Sequence, residues 1–282
     1  MSDLLRSTLT ARSSALDVER SVPSKSPRNV LLSGRSAANS TRTIPPPNAV
    51  CNDNDNKGLW ANYLDTSYDV DTEMGKYRVY LNRPRTNGIL FFFVHGAGSS
   101  ALTFACLALQ LRLLNPSYGA LLVDIRGHGE TLTRSDEDLA LATLETDMAL
   151  VFAQVRMEEK WEKCPEICLC GHSLGGAVCV GMALRRLVEN VFACAVLDVV
   201  EGSALAGLDS MTSFLKNRPR EFNFLGDAIQ WHLQSRFLRN ADSARISVPP
   251  LFVKIDTTWR WRTSLEKTQK FWKGMYRKCI FR

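Results

Sequence analysis

Hydrophobic positions along this chain fall into two regimes. Between residues 76 and 200, short apolar runs alternate with longer stretches whose apolar residues recur at helical spacing, the pattern an α/β fold requires. "YRVYLN" (77–82) predicts a half-buried strand, and "GILFFFVHG" (88–96) a strand that is apolar on both faces, as when helices cover both sides of a sheet. "TFACLALQLRLL" (103–114) predicts a helix, "GALLVDIRG" (119–127) a second buried strand, and "DLALATLETDMALVFAQVRME" (138–158) a longer helix. After a break at Pro165 come a strand, "EICLCGHS" (166–173), a helix, "LGGAVCVGMALRRLVE" (174–189), and a further strand, "VFACAVLDVV" (191–200). Then the alternation stops. Residues 203–245 read as helices and loops, with Pro219 as a breaker, and "LWANYLDTSYDV" (59–70) reads as a short segment docking its aromatics on the domain.

Residues 1–48 show neither rhythm. They hold ten serines and few large apolar side chains, end near "TIPPPNA", and cannot bury enough surface to offset the entropy of ordering. A disordered tail over 1–48 and one domain over 59–282 are the expected organisation. The net charge of +6 is uneven: residues 1–48 carry seven Lys/Arg against three Asp/Glu, residues 254–282 nine against two, and the middle is mildly acidic. Basic ends on an acidic body do not make the basic face that nucleic acid selects. No run approaches the ~18 apolar residues that span a bilayer, and no secretory signal opens the chain, so an intracellular protein, cytoplasmic or nuclear, is expected. Most of the eight cysteines lie in apolar runs (Cys168, Cys170, Cys179, Cys194), where thiols pack as small hydrophobes. None pairs with histidines at zinc spacing, so neither metal nor cofactor is expected.

Three motifs bring chemistry into this frame. Gly171-His172-Ser173-Leu174-Gly175 sits between a predicted strand and helix, the context in which a tight turn exposes a nucleophilic serine. His95-Gly96-Ala97-Gly98-Ser99-Ser100 follows a buried strand, where a loop donates a backbone N–H to an oxyanion hole. The two donors would lie near Ala97 and at Leu174, with His95 fixing the loop. "DIRGHGET" (124–131) follows the next strand, and Asp124, Arg126 and His128 read as polar groups tying that loop together. Serine at the turn selects acyl chemistry; dehalogenases and epoxide hydrolases of similar architecture place aspartate there. Asp198, ending "ACAVLD", stands where the acid of a Ser…Asp…His order belongs.

Taken together, these stretches resemble the protein phosphatase methylesterase family of α/β-hydrolases. The likeness is carried by Trp60-Ala61-Asn62-Tyr63, "HGAGSSALTF", "DIRGHGET", "GHSLGGA", "DVVEG" and the long stretch "LDSMTSFLKNRPREFNFLGDAIQWHLQSRFLRNADSARIS", and it covers residues 59–275. The resemblance implies an α/β-hydrolase fold: a mostly parallel sheet flanked by helices, with a lid-like helical insert (203–245) after the sixth strand. It implies a serine esterase that demethylates the C-terminal leucine of the type 2A protein phosphatase catalytic subunit, with Ser173 as nucleophile and Asp198 orienting the base. A non-catalytic phosphatase-binding protein and a general esterase or lipase remain the alternatives.

The base is the missing part of this reading. Of His95, His128, His172 and His232, only His232 follows Asp198, and it lies in a predicted helix of the insert. The resemblance places the base after a further strand beyond "WRTSLEKTQKFWKGMYRK", and here only "CIFR" follows. The expectation is therefore a chain lacking the family's final strands and its catalytic histidine, with impaired activity.

Overall fold

The computed structural model describes residues 58–85, 88–198, 212–213 and 215–271. The expected tail (1–48), the start of the insert (203–211), most of "DVVEG" and the last eleven residues lie outside the described residues.

Among the described residues the body is a seven-stranded sheet in the order β1-β2-β4-β3-β6-β7, with the two-residue β5 (Leu132–Thr133) pairing with β2. Its strands are β1 (Thr66–Thr72), β2 (Gly75–Asn82), β3 (Ile89–Val94), β4 (Gly119–Val123), β6 (Glu166–His172) and β7 (Val191–Leu197). The four inner and right-hand strands β4, β3, β6 and β7 are parallel; β1 and β2 run antiparallel. Period-2 alternation builds two cores. Leu90, Phe92 and Val94 of β3 face one side with Leu121, Val123, Ile167 and Leu169, whereas Phe93 faces the other with Tyr80, Leu122, Cys168 and Cys170. Helices α2 (Leu141–Glu158) and α3 (Leu174–Leu184) cover the first side. The 3₁₀ turn Ala101–Phe104 and α1 (Ala105–Leu114) cover the second.

Two differences from the sequence reading concern strands. Thr66–Thr72, taken as part of a docking segment, is an edge strand paired along its whole length with β2. The insert is also more than helices and loops. Alongside α4 (Leu225–Gln234) and α5 (Ala241–Ser247) it contributes β8 (Glu221–Phe222), which joins the hairpin β9 (Phe252–Ile255) and β10 (Thr258–Trp261) in a second, three-stranded sheet. These pieces share their own core of Leu225, Ala228, Ile229, Ala244, Val248 and Phe252, capped by Trp259 and Trp261. Cys194 also departs from expectation: it is exposed on β7, while Cys168, Cys170 and Cys179 are buried.

Candidate active site

Ser173 occupies the single-residue turn between β6 and α3, with φ 51 and ψ −119, a backbone region that L-residues adopt only when the surroundings enforce it. The two motif glycines enforce it by close approach. A Cβ on Gly171 would overlap the Gly175 carbonyl and the Gly176 backbone, and one on Gly175 would overlap the carbonyl of Val94 at the end of β3. Ser173 itself accepts the Gly176 amide at 2.9 Å and donates its own amide to Leu197 on β7 at 3.0 Å. The turn is thus clamped by strands on both sides.

The loop after β3 lies against this turn. A Cβ placed on Gly96 would stand 3.2 Å from the Ser173 Cβ, so the 96–98 backbone passes directly beside the serine. Gly98 donates its amide to His128 Nε2 at 2.8 Å, and Ser99 donates to Gly96 at 3.1 Å. Among the described residues, the amides of Ala97 and Leu174 are committed to no carbonyl or side chain. Leu174 opens a helix, where first-turn N–H groups lack intrahelical partners. One of these amides thus directly follows Ser173, and the other follows Gly96, which packs against it.

The "DIRGHGET" loop is the scaffold for this arrangement. His95 donates from Nδ1 to the Gly96 carbonyl and accepts the Ile125 amide at Nε2; His128 donates from Nδ1 to Arg126 and accepts Gly98 at Nε2. A ring that donates with one nitrogen and accepts with the other is a neutral imidazole, and burial agrees: it lowers His95 well below the usual range and His128 to about 4. Asp124, fully buried, accepts the amides of Ala101 (2.7 Å) and Glu130 (3.0 Å), while burial raises its pKa to about 6. Arg126 makes a buried bidentate pair with Asp147, both bonds 2.8 Å.

Asp198 directly follows β7 with a positive φ of 53, and its side chain is 79% exposed. The His172 ring lies beside it, with Nε2 3.9 Å from the carboxylate. His172 Nδ1 is buried without a hydrogen-bond partner and points at the Gly96 backbone; burial lowers its pKa, and Asp198 opposes that shift. His232 is far from free. Its Nδ1 donates to Ala228 at 2.7 Å within α4, and its ring packs among Trp231, Phe252 and Trp261.

The sequence reading missed a segment that touches this site. Leu265 reaches the loop after β3, its Cδ1 2.7 Å from where a Gly98 Cβ would be, and Thr263 donates to the Gly127 carbonyl at 2.8 Å. The sequence reading used "WRTSLEKTQKFWKGMYRK" as a family landmark and did not bring Thr263 or Leu265 to this site. Among the described residues no helix is long and apolar enough to cross a membrane.

A mostly parallel sheet flanked by helices, with a serine in a strained strand-to-helix turn beside uncommitted amides, defines a class. The chain belongs to the α/β hydrolase family, whose model matches residues 91–279. Solved structures agree at the level of fold: E-2-(acetamidomethylene)succinate hydrolase matches with TM-score 0.58 at 21% identity over 74% of this chain and 73% of that one. A Mycobacterium tuberculosis esterase matches with TM-score 0.54 at 20% identity over 79% and 77%.

Within that class the chain belongs to the protein phosphatase methylesterases. It is 42% identical over 231 residues to protein phosphatase methylesterase 1 of Aspergillus fumigatus, covering 77% of this chain and 55% of the relative. The Schizosaccharomyces pombe protein of that name is 40% identical over 77% of this chain and 65% of its own length. The Bos taurus protein is 31% identical over 77% and 68%. The chain spans little more than half the length of the first of these relatives.

Proposed function

We propose that this chain carries the nucleophilic half of a serine carboxylesterase that demethylates the methyl-esterified C-terminal leucine of the type 2A protein phosphatase catalytic subunit. Ser173 Oγ attacks the ester carbonyl as a base takes its proton, and the Ala97 and Leu174 amides receive the oxyanion. Collapse breaks the C–OCH₃ bond, and methanol leaves with that proton. Water, deprotonated by the same base, then cleaves the acyl-enzyme to release Ser173 and the free carboxylate. Asp198 orients the base. No metal or cofactor enters the scheme, and the substrate places the protein in the cytoplasm or nucleus.

The observation that carries this reading is the clamped Ser173 turn with two uncommitted amides beside it. The methylesterase relatives support the substrate. A fluorophosphonate probe should label Ser173 in the folded protein, and Ser173→Ala should abolish both the labelling and the methyl release that the chain shows. Labelling elsewhere, or turnover that survives Ser173→Ala, would sink the assignment. Equal turnover of small neutral esters and methylated phosphatase would favour a general esterase instead.

A second reading, binding of phosphatase without turnover, is favoured by one observation. His95, His128 and His232 each commit Nδ1 to a backbone carbonyl, and Asp198 meets no imidazole but that of His172. The 282-residue chain should therefore release methyl slowly, and added imidazole should raise the rate by supplying a base. Fast turnover that imidazole leaves unchanged and His172→Ala abolishes would identify His172 as the base.

A further inference from the structure

A cavity of about 550 Å³ lies between the 212–220 stretch of the insert and the 261–269 segment, lined by Leu215, Lys216, Arg218, Arg220, Trp261 and Glu266 among others. Three cations face one carboxylate. Arg218 is the centre of the arrangement. Its side chain is 7% exposed, its guanidinium stacks on the Trp261 ring at 4.2 Å, and Nη2 donates to Glu266 at 3.2 Å. Trp261 is itself anchored by its indole N–H, which donates to the Pro219 carbonyl at 2.7 Å. Among the described residues Nε and Nη1 of Arg218 have no acceptor. The guanidinium is therefore held rigid, stripped of much of its water, and only partly compensated by a half-exposed carboxylate. Lys216 and Arg220 stand exposed at the rim and add two further positive charges.

The cavity adjoins the serine site through a single short segment. Leu265 packs on the loop at Gly98, Thr263 holds the Gly127 carbonyl, and Glu266 lines the cavity. Residues 263–266 therefore touch both the loop beside Ser173 and the cavity, and this shared segment is what links the two. We propose that the cavity is an anion subsite that takes a carboxylate or phosphate borne by the substrate chain a few residues before its esterified terminus. It rests on the esterase reading above and adds to it the class of substrate: acidic or phosphorylated C-terminal tails. Nε and Nη1 leave three N–H donors open to either oxyanion, and stacking on an aromatic ring fixes their plane before the ligand arrives. Cations at the rim raise the local concentration of such tails.

The test uses the full chain carrying Ser173→Ala, so that no ester is consumed, and fluorescent peptides ending in leucine methyl ester. Each carries glutamate, phosphothreonine or neutral glutamine at one of several positions upstream. Fluorescence anisotropy reads Kd. At one position the anionic peptides should bind about tenfold or more tighter than the glutamine peptide, and the ratio should shrink with added salt. Lys216→Gln with Arg220→Gln, both at exposed positions, should cut that ratio to roughly threefold or less, as expected for losing rim charges. Glu266→Gln should increase it by removing the competing carboxylate. A larger ratio for phosphothreonine assigns the subsite to phosphate, and a larger one for glutamate assigns it to carboxylate. Anionic and neutral peptides binding alike at every position would overturn the subsite. Fluorophosphonate labelling of the Ser173 form, run in parallel, reports on the esterase reading separately. Labelling without a charge ratio removes the subsite alone, and a charge ratio without labelling removes the esterase alone.

Discussion

His128 and Asp124 sit in one loop and respond to pH in opposite senses. Burial depresses His128 from 6.5 to about 4, so the stability from its neutral ring is full above pH 6.5 and is lost as pH falls through about 4. Burial raises Asp124 from 3.8 to about 6, so its contribution is full below pH 3.8 and is lost as pH rises through about 6. Each shift corresponds to roughly 3 kcal/mol and the two nearly cancel. His95, lowered further by the same cause, tips the balance towards acid lability. Urea denaturation across pH 4–7 separates them, because the replacements do not titrate. The advantage of the native protein over His128→Gln should shrink by up to roughly 3 kcal/mol on going to low pH, and its advantage over Asp124→Asn should grow. Parallel curves for all three proteins would show that neither group titrates with folding. That these polar residues tie a loop together was legible in the sequence, because histidine, arginine and aspartate crowd between glycines directly after a buried strand. Their pairing was not. The ring orientation of His128 depends on Gly98, thirty positions earlier in the chain.

Among the elements, those legible in the sequence are the ones whose burial leaves an unbroken apolar run. β3, with "ILFFFV", and β6, with "EICLCGH", fall where the pattern placed them, since helices cover both faces of each. β1 escaped notice because "TSYDVDT" buries only Val70 fully; an edge strand partly open to solvent needs little hydrophobicity and gives little signal. The β8–β10 sheet escaped for a different reason. Its strands are two and four residues long and are held by side chains, with Trp261 packed on Phe222, Phe252 and His232. Trp261→Ala should cost about 3–5 kcal/mol, confined to that cluster. Hydrogen exchange should then lose protection over 221–261 while β3 keeps it, and loss in both together would show one cooperative unit. At the elbow, Gly175→Ala drives a methyl group into the Val94 carbonyl, which is backbone and cannot swing aside. A cost on the order of 3 kcal/mol, with loss of probe labelling at Ser173, is the expected result.

At the scale of the whole molecule, β7 is the last strand of the sheet among the described residues, on the side where Ser173 and Asp198 lie. β7 has β6 on one side, and among the described residues nothing pairs with its other edge. Its faces are also unequal. Ala193 and Ala195 pack on the second core and Val191, across a register shift, on the first, whereas Phe192, Cys194 and Val196 are exposed, Phe192 at 56%. Leu197 extends the apolar strip towards Asp198. An open strand edge beside uncovered Phe, Val and Leu side chains is a template for association with another copy. It also bears on the site, because Leu197 supplies the carbonyl that holds the Ser173 amide and Asp198 follows immediately. Dynamic light scattering across protein concentrations should therefore show growth of large species, and Phe192→Lys with Val196→Lys should suppress it by placing charges on that strip. Both side chains are exposed, so the double variant should keep its far-ultraviolet circular dichroism and its Ser173 labelling. Scattering that is equally strong in the variant would locate the association elsewhere. Scattering absent from the native chain would mean that residues outside those described already cover the face.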